Sequence, residues 1–345
     1  MKHSLHTFLM GGALAMCLAG VAASDPLPGR DVLKFQQLPM AGTPIPDPGS
    51  PGGIGIFDGH DELSTAYPAL DSTGNFIGYH GRFMADDFAD RFESPVVHVK
   101  WWGSYLHRPT NIPDPFVRRF LISFESDIPA SATNPFSQPG EPLLNQIVTL
   151  APLLTPGSGT FTEKLFWPTS VDGPIYEYNA ELHLGKEFRQ EPDTVYWLKI
   201  VALVDAPPEI PLEERLAWGW HNRDYTKMDP LASVPPAVVP GEHIAGFLPS
   251  PDGVEIPIWH FQDNAVDGFV FVGIDPNNPM TQIMPFVQQD VRGPNNYLPP
   301  WDGPSLIGQF SKDLAFELYT IPEPASIVLI ALACAAFGST VRRRP

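Results

Sequence analysis

Only two cysteines occur in 345 residues, Cys17 and Cys334, and both fall in the end segments of the chain. The stretch between them therefore has neither disulfides nor thiolate metal sites, and its apolar core has to hold the fold alone. Basic residues are also scarce, 21 Lys and Arg against 39 Asp and Glu. Phosphate backbones are bound by clustered Lys and Arg, so nucleic acid is not an expected partner. Outside the two termini no 12-residue window carries a helical stripe, and no internal repeat is evident. Catalytic signatures are missing as well. There is no Gly-x-Ser-x-Gly elbow, and Gly103-Ser104 lies in or just after a strand-like run. Neither His-x-x-x-His nor His-Glu-x-x-His zinc spacing occurs. Glycosidase-type paired carboxylates cannot be picked out of 39 acidic residues.

What is present begins with proline, 41 of 345 residues, more than twice the roughly 5% average. The prolines sit between short apolar runs, where they break helices and punctuate strands. Strand-like segments rich in β-branched and aromatic residues recur at Val96 to Trp102, Phe116 to Phe124, Gln146 to Leu150, Gly159 to Trp167 and Tyr176 to Leu184. Five more lie at Thr194 to Val204, Leu216 to Trp220, Ile256 to Phe261, Gly268 to Gly273 and Asp313 to Tyr319. The pattern predicts an all-β fold, an antiparallel, jelly-roll-like β-sandwich forming a single domain over residues 25–320. Residues 39–55 and 277–304 read as extended loops, as do Pro207 to Pro211 and Pro235 to Pro240.

The ends of the chain form an address. Lys2, the apolar stretch Phe8 to Val21 and the small residues Ala22-Ala23-Ser24 predict a secretory signal peptide over 1–24. At the other end, Pro322-Glu323-Pro324 precedes an apolar run and Arg342-Arg343-Arg344. Ala325 to Val341 is 17 residues. As a helix it would reach roughly 25 Å at ~1.5 Å per residue, enough to span a thin bilayer as a C-terminal transmembrane helix. The arginines then act as a membrane stop that keeps the C-terminus in the cytoplasm. Without Lys2 and the three terminal arginines, residues 25–324 carry 17 basic and 39 acidic residues, a net charge of −22. Such a charge favours solubility and weak association with divalent cations.

This tail resembles the PEP-CTERM sorting signal that exosortase, a membrane protease, recognises in bacteria. The resemblance covers residues 321–345 and implies that Pro322, Glu323 and Pro324 are the recognition element. It further implies membrane anchoring before processing, then delivery to the cell surface or extracellular matrix. A second resemblance rests on Met84-Ala85-Asp86-Asp87-Phe88, Val97 to Tyr105, Thr194 to Leu198, Trp218-Gly219-Trp220 and Trp259-His260-Phe261. These look like an uncharacterised exported domain of environmental bacteria, spanning roughly residues 32–320. That resemblance implies a β-sandwich and no known activity; this chain lacks the cysteine expected after Asp-Asp-Phe.

Candidate sites remain to be weighed. Asp86-Asp87, and Asp58, Asp61 and Glu62 around His60, offer the oxygen ligands that calcium takes, but neither has calcium-loop spacing. Capping of backbone amides is the favoured role, and no metal, cofactor or catalytic residue is assigned. His221, His243, His260, Asp224 and Asp263 are scattered histidines and acids that convergence alone would make a site. Of the eight tryptophans, Trp101, Trp102, Trp218, Trp220 and Trp259 are candidates for stacking against sugar rings, with core packing the favoured alternative. On a regular strand Trp101 and Trp102 face opposite ways, whereas Trp218 and Trp220 share a face. The expected function is a non-enzymatic, surface-sorted envelope or matrix component, structural or adhesive, possible partners being exosortase, the membrane and a polysaccharide. A carbohydrate-binding module and a glycan-acting hydrolase are the alternatives.

Overall fold

The computed structural model describes residues 31–46, 54–90, 92–109, 116–129, 131, 137–151, 159–170, 173–183, 185–192, 194–224, 244–249, 255–259, 265–294 and 313–321. The signal peptide, Pro322-Glu323-Pro324, the apolar span and Arg342-Arg343-Arg344 lie outside them, as do Pro235 to Pro240, His243, His260, Asp263 and Trp301. Among the described residues no helix is long and apolar enough to cross a membrane.

The fold is nearly all β. In chain order the strands are β1 (Val32–Gln37), β2 (Thr43–Pro46), β3 (Ile54–Phe57), β4 (Asp61–Leu63), β5 (Thr65–Leu70), β6 (Phe76–Phe88), β7 (His98–His107), β8 (Arg119–Ile128) and β9 (Gln138–Leu150). There follow β10 (Gly159–Trp167), β11 (Ile175–Glu181), β12 (Tyr196–Leu203), β13 (Ala217–His221), β14 (Ile244–Pro249), β15 (Glu255–Trp259), β16 (Val266–Gly273), β17 (Phe286–Pro294) and β18 (Phe316–Thr320). The helix α1 is a single turn, Pro279–Ile283, capped by the Asn278 side chain, which accepts from the Met280 amide.

Fourteen strands form one open, mostly antiparallel sheet in the order β1-β18-β7-β11-β10-β9-β8-β12-β5-β6-β16-β17, with β13 joining β7 to β4. Among the described residues, parallel pairing is confined to β9 with β10 and to two residues of β5 with β12. The expectation of a sandwich holds for the strand content and the antiparallel pairing; the strands, however, make one large sheet rather than two facing ones. Ser64 shows how it curls. Its amide donates to the Trp218 carbonyl and its own carbonyl accepts from Ala202, so β13 is drawn alongside β12. The neighbouring Thr65 hydroxyl donates to the same Trp218 carbonyl at 2.7 Å.

The curl explains why β12 reads Tyr-Trp-Leu-Lys-Ile-Val-Ala-Leu, with no polar face: all eight residues are buried. Tyr196, Leu198, Ile200 and Ala202 enter the larger core with Phe88, Trp101, Phe120 and Trp218. Trp197, Val201 and Leu203 enter a second core with Tyr79, Phe83, Val266 and Val270. Burial on both faces is the sequence mark of a covered central strand. Two segments read as loops carry strands. β2, inside 39–55, pairs with β3, which starts there and runs on to Phe57, and β17, inside 277–304, pairs along the whole of β16. Proline frequency obscured the first, and the polar sequence Gln-Gln-Asp-Val-Arg, suited to an edge strand, obscured the second.

Candidate functional site

Two polar constellations stand out, one sealed and one open. The sealed one gathers where β13 ends. Residues 221–224 run between segments 38–43, 58–62 and 313–315, held by backbone bonds from Met40 to Asn222, Asp224 to Leu38, Arg223 to Asp313 and Ala315 to His221. His221 is fully buried, with Nε2 2.7 Å from the Met40 carbonyl and Nδ1 3.2 Å from the Asp61 carboxylate. The Asn222 side chain accepts from the His60 amide at 2.9 Å. Gly59, at φ 75°, lets that loop approach: a Cβ there would fall 2.3 Å from Asn222 Oδ1.

Of the predicted acidic cluster, each carboxylate has a different partner. Asp58 accepts from the Gly42 amide, Asp61 faces His221, and Glu62 lies 3.6 Å from His60. Asp224, which the sequence grouped with His221, accepts from the Thr43 hydroxyl at 2.9 Å. Asp86 joins from β6: its carboxylate accepts from the Leu314 amide at 2.7 Å and from the Asp87 amide at 3.1 Å. Burial, with Asp313 and Asp87 adding to it, raises the Asp86 carboxyl well above its usual range, while Arg223 acts against the shift. His60 is pulled down to about 4, by burial first and the neighbouring His221 second. Among the described residues no three His, Cys, Asp or Glu side chains are placed to hold a metal ion. Carboxylates directed at separate backbone amides and rings cross-link chain segments: Asp58 and Asp86 accept from amides, whereas Asp61 and Glu62 face imidazoles.

The open constellation is a cavity of about 490 Å³ lined by Arg108, Phe116, Leu150, Ala151, Thr162, Glu163 and Tyr176. That volume lies in the range of small-molecule sites, about 300–1,000 Å³. Its floor is set by strand pairing, because Glu163 of β10 lies directly across from Tyr178 of β11. Glu163 accepts from the hydroxyls of Tyr105 and Tyr178. Tyr178 in turn accepts from the Trp218 indole at 3.0 Å, and Tyr105 accepts from the Val117 amide at 3.2 Å. Burial raises the pKa of the Glu163 carboxyl, and it raises that of both phenols, so the tyrosines remain donors. At the rim the exposed Arg108 guanidinium lies 3.8 Å over the Tyr105 ring and 5.2 Å from that of Tyr176. Arg118, also exposed, lies 5.4 Å over Phe116. A second cavity of about 300 Å³ contains Tyr79, Arg119 and Asp205, already bonded to one another. Each of the two cavities is lined by a single carboxylate.

Four of the five candidate tryptophans are interior. Trp101, Trp218 and Trp220 have no exposure and Trp102 has 2%, so none presents a ring face to a sugar. Trp101 stacks on Tyr178 at 5.4 Å, and Trp220 donates to the Ala315 carbonyl at 2.9 Å. Trp218 and Trp220 share the larger core, as their spacing requires, while Trp102 packs with Ile175 and Ala315 on the opposite face of β7 from Trp101. Both faces of that strand are covered, which is why alternation left neither tryptophan outside. The Trp259 side chain lies outside the described residues. The cavity residues Arg108, Glu163 and Tyr176 were not singled out by sequence reasoning; the only signal was an arginine between aromatic-rich strands.

Fold and cavity together define an all-β protein whose one large sheet carries a ligand-sized hollow. The chain belongs to the family described as a domain of unknown function, DUF7901, which matches residues 34–244 and takes in the open constellation and all of the sealed one but residues 313–315. No match was found among curated proteins or among solved structures.

Proposed function

We propose that the chain is an exported, surface-sorted, non-enzymatic component of the cell envelope or extracellular matrix, with a structural or adhesive role. The observation that carries this reading is the order of features at the C-terminus: Pro322-Glu323-Pro324, an apolar span and Arg342-Arg343-Arg344, resembling a PEP-CTERM signal. The signal-like N-terminus and the cysteine-free, acidic body support it. The direct partner is then an exosortase-type membrane protease, with the C-terminal span holding the chain in the membrane until it is processed. Replacing Pro322, Glu323 and Pro324 by alanine is expected to leave the uncut form in the membrane fraction. Unchanged processing and surface delivery would refute the sorting assignment.

A second reading, carbohydrate binding, is favoured by one observation: the open cavity with an aromatic wall and polar groups on its floor and rim. Tyr176 and Phe116, rather than the tryptophans, are the rings a saccharide would meet there.

A further inference from the structure

Arg108 lines the cavity, and Arg118 stacks on Phe116, another of its lining residues. Among the described residues neither guanidinium has a carboxylate within ion-pair distance. Arg82, Arg119 and Arg223, by contrast, each have an aspartate partner. Arg108 and Arg118 are exposed cations, and the Arg108 charge is felt by Glu163 on the cavity lining. Both are also held in place: Arg108 rests on Tyr105 and Tyr176, Arg118 on Phe116, and the Arg118 carbonyl accepts from the Leu150 amide at 2.9 Å. Stacking orients a guanidinium while leaving its in-plane N–H donors directed outward, where a carboxylate can be met by two parallel bonds. Between the two arginines and the Glu163 floor the walls are aromatic and aliphatic, from Phe116, Leu150 and Tyr176, with the Thr162 hydroxyl and the Glu163 oxygens as acceptors. Such walls suit a saccharide ring, and such a floor suits its hydroxyls.

We propose that this cavity binds a carboxylate-bearing, uronic-acid-type sugar, its ring against Tyr176 and Phe116, its carboxylate on Arg108 with Arg118 alongside, and a hydroxyl donating to Glu163. The inference rests on the carbohydrate-binding reading and names its substrate class. The overall negative charge opposes a polyanion at long range, but at physiological salt exposed charges are screened beyond about 8 Å, so the local arginines decide the contact.

The test is calorimetric titration of the full-length chain in detergent micelles, at physiological salt, with a linear oligouronate and with the neutral oligosaccharide of the same length and linkage. The oligouronate is expected to bind more than about tenfold more tightly than the neutral oligomer. Arg108→Ala is expected to abolish most of that difference, and Arg108→Lys to keep the charge but lose part of the affinity. Both variants are expected to unfold at the wild-type temperature, since Arg108 is exposed. Equal affinity for the charged and neutral oligomers overturns the uronate assignment and leaves carbohydrate binding standing. Tighter binding of a sulfated oligosaccharide overturns the choice of carboxylate. Wild-type affinity in Arg108→Ala overturns the placement at this cavity, and no binding of any oligomer overturns the carbohydrate reading itself. None of these outcomes bears on surface sorting, which the tail substitution tests separately.

Discussion

Replacing Lys199 by methionine removes the cation from a fully buried ion pair at the centre of the sheet. The Lys199 ammonium meets the Glu125 carboxylate with both side chains at zero exposure, and it also contacts Gln289 Oε1. Its other neighbour is the Phe83 ring, 4.3 Å away. Methionine fills similar volume but leaves a carboxylate deep in the sheet with only the Gln289 amide at 2.8 Å and the Ser123 hydroxyl at 2.8 Å to stabilise it. Breaking one side of a buried pair costs about 3–5 kcal/mol. Removing both sides behaves differently. In Lys199→Met/Glu125→Leu the Gln289 amide keeps the Gly140 carbonyl at 3.0 Å, and the Ser123 hydroxyl keeps Asn145 at 2.7 Å. The double variant is therefore expected within about 2 kcal/mol of wild type. Urea unfolding followed by tryptophan fluorescence measures all four corners of the cycle. A single-variant cost below about 1 kcal/mol, or a double variant no more stable than Lys199→Met, would refute the reasoning.

Other perturbations have defined signs. Gly103→Ala puts a Cβ 2.3 Å from the Gly219 carbonyl and 2.4 Å from the Trp218 ring, so β7 and β13 must separate; a loss of about 1–3 kcal/mol or more is expected in chemical denaturation. The raised carboxyl of Asp86 means that the native state keeps a proton the unfolded chain releases. Its stabilisation is complete below about pH 3.8 and is lost as pH rises through the native value. Against Asp86→Asn, wild type should lose ground as pH climbs above about 4, and parallel profiles would contradict this. His60 has the opposite sign: its displacement from 6.5 to about 4 makes stability fall as pH drops across that window. The loss amounts to about 3 kcal/mol, and His60→Phe should flatten the profile in a pH series of urea midpoints.

The strands that could be read from the sequence were those whose side chains obey a simple pattern. Gly159 to Trp167 was bounded as β10 is, and the apolar run Thr194 to Val204 contains β12. β6 was not legible because it buries Asp86 and Asp87, one on each face, which read as turn residues until Leu314 and Arg223 are brought beside Asp86. β4 is Asp-Glu-Leu and β1 contains a buried Lys34, so neither looks like a strand in isolation. Nor could alternation reveal that one sheet has both faces covered, since that depends on Ser64 tying β13 to β12. His221 and Asp224 were named in one group and Asp61 in another, and the chain path unites them. The cavity was out of reach because Glu163 and Tyr176 come from two strands and Arg108 from just past the end of a third, and they meet only through register.

Export and surface sorting are the claim on which the functional account depends, and intact-mass measurement of the protein recovered from the host cell surface tests it most directly. The account predicts a shortened chain that begins near Asp25 and ends near Pro324, without Lys2 or the terminal arginines. The unprocessed 345-residue chain, found in the cytosolic fraction, would contradict it.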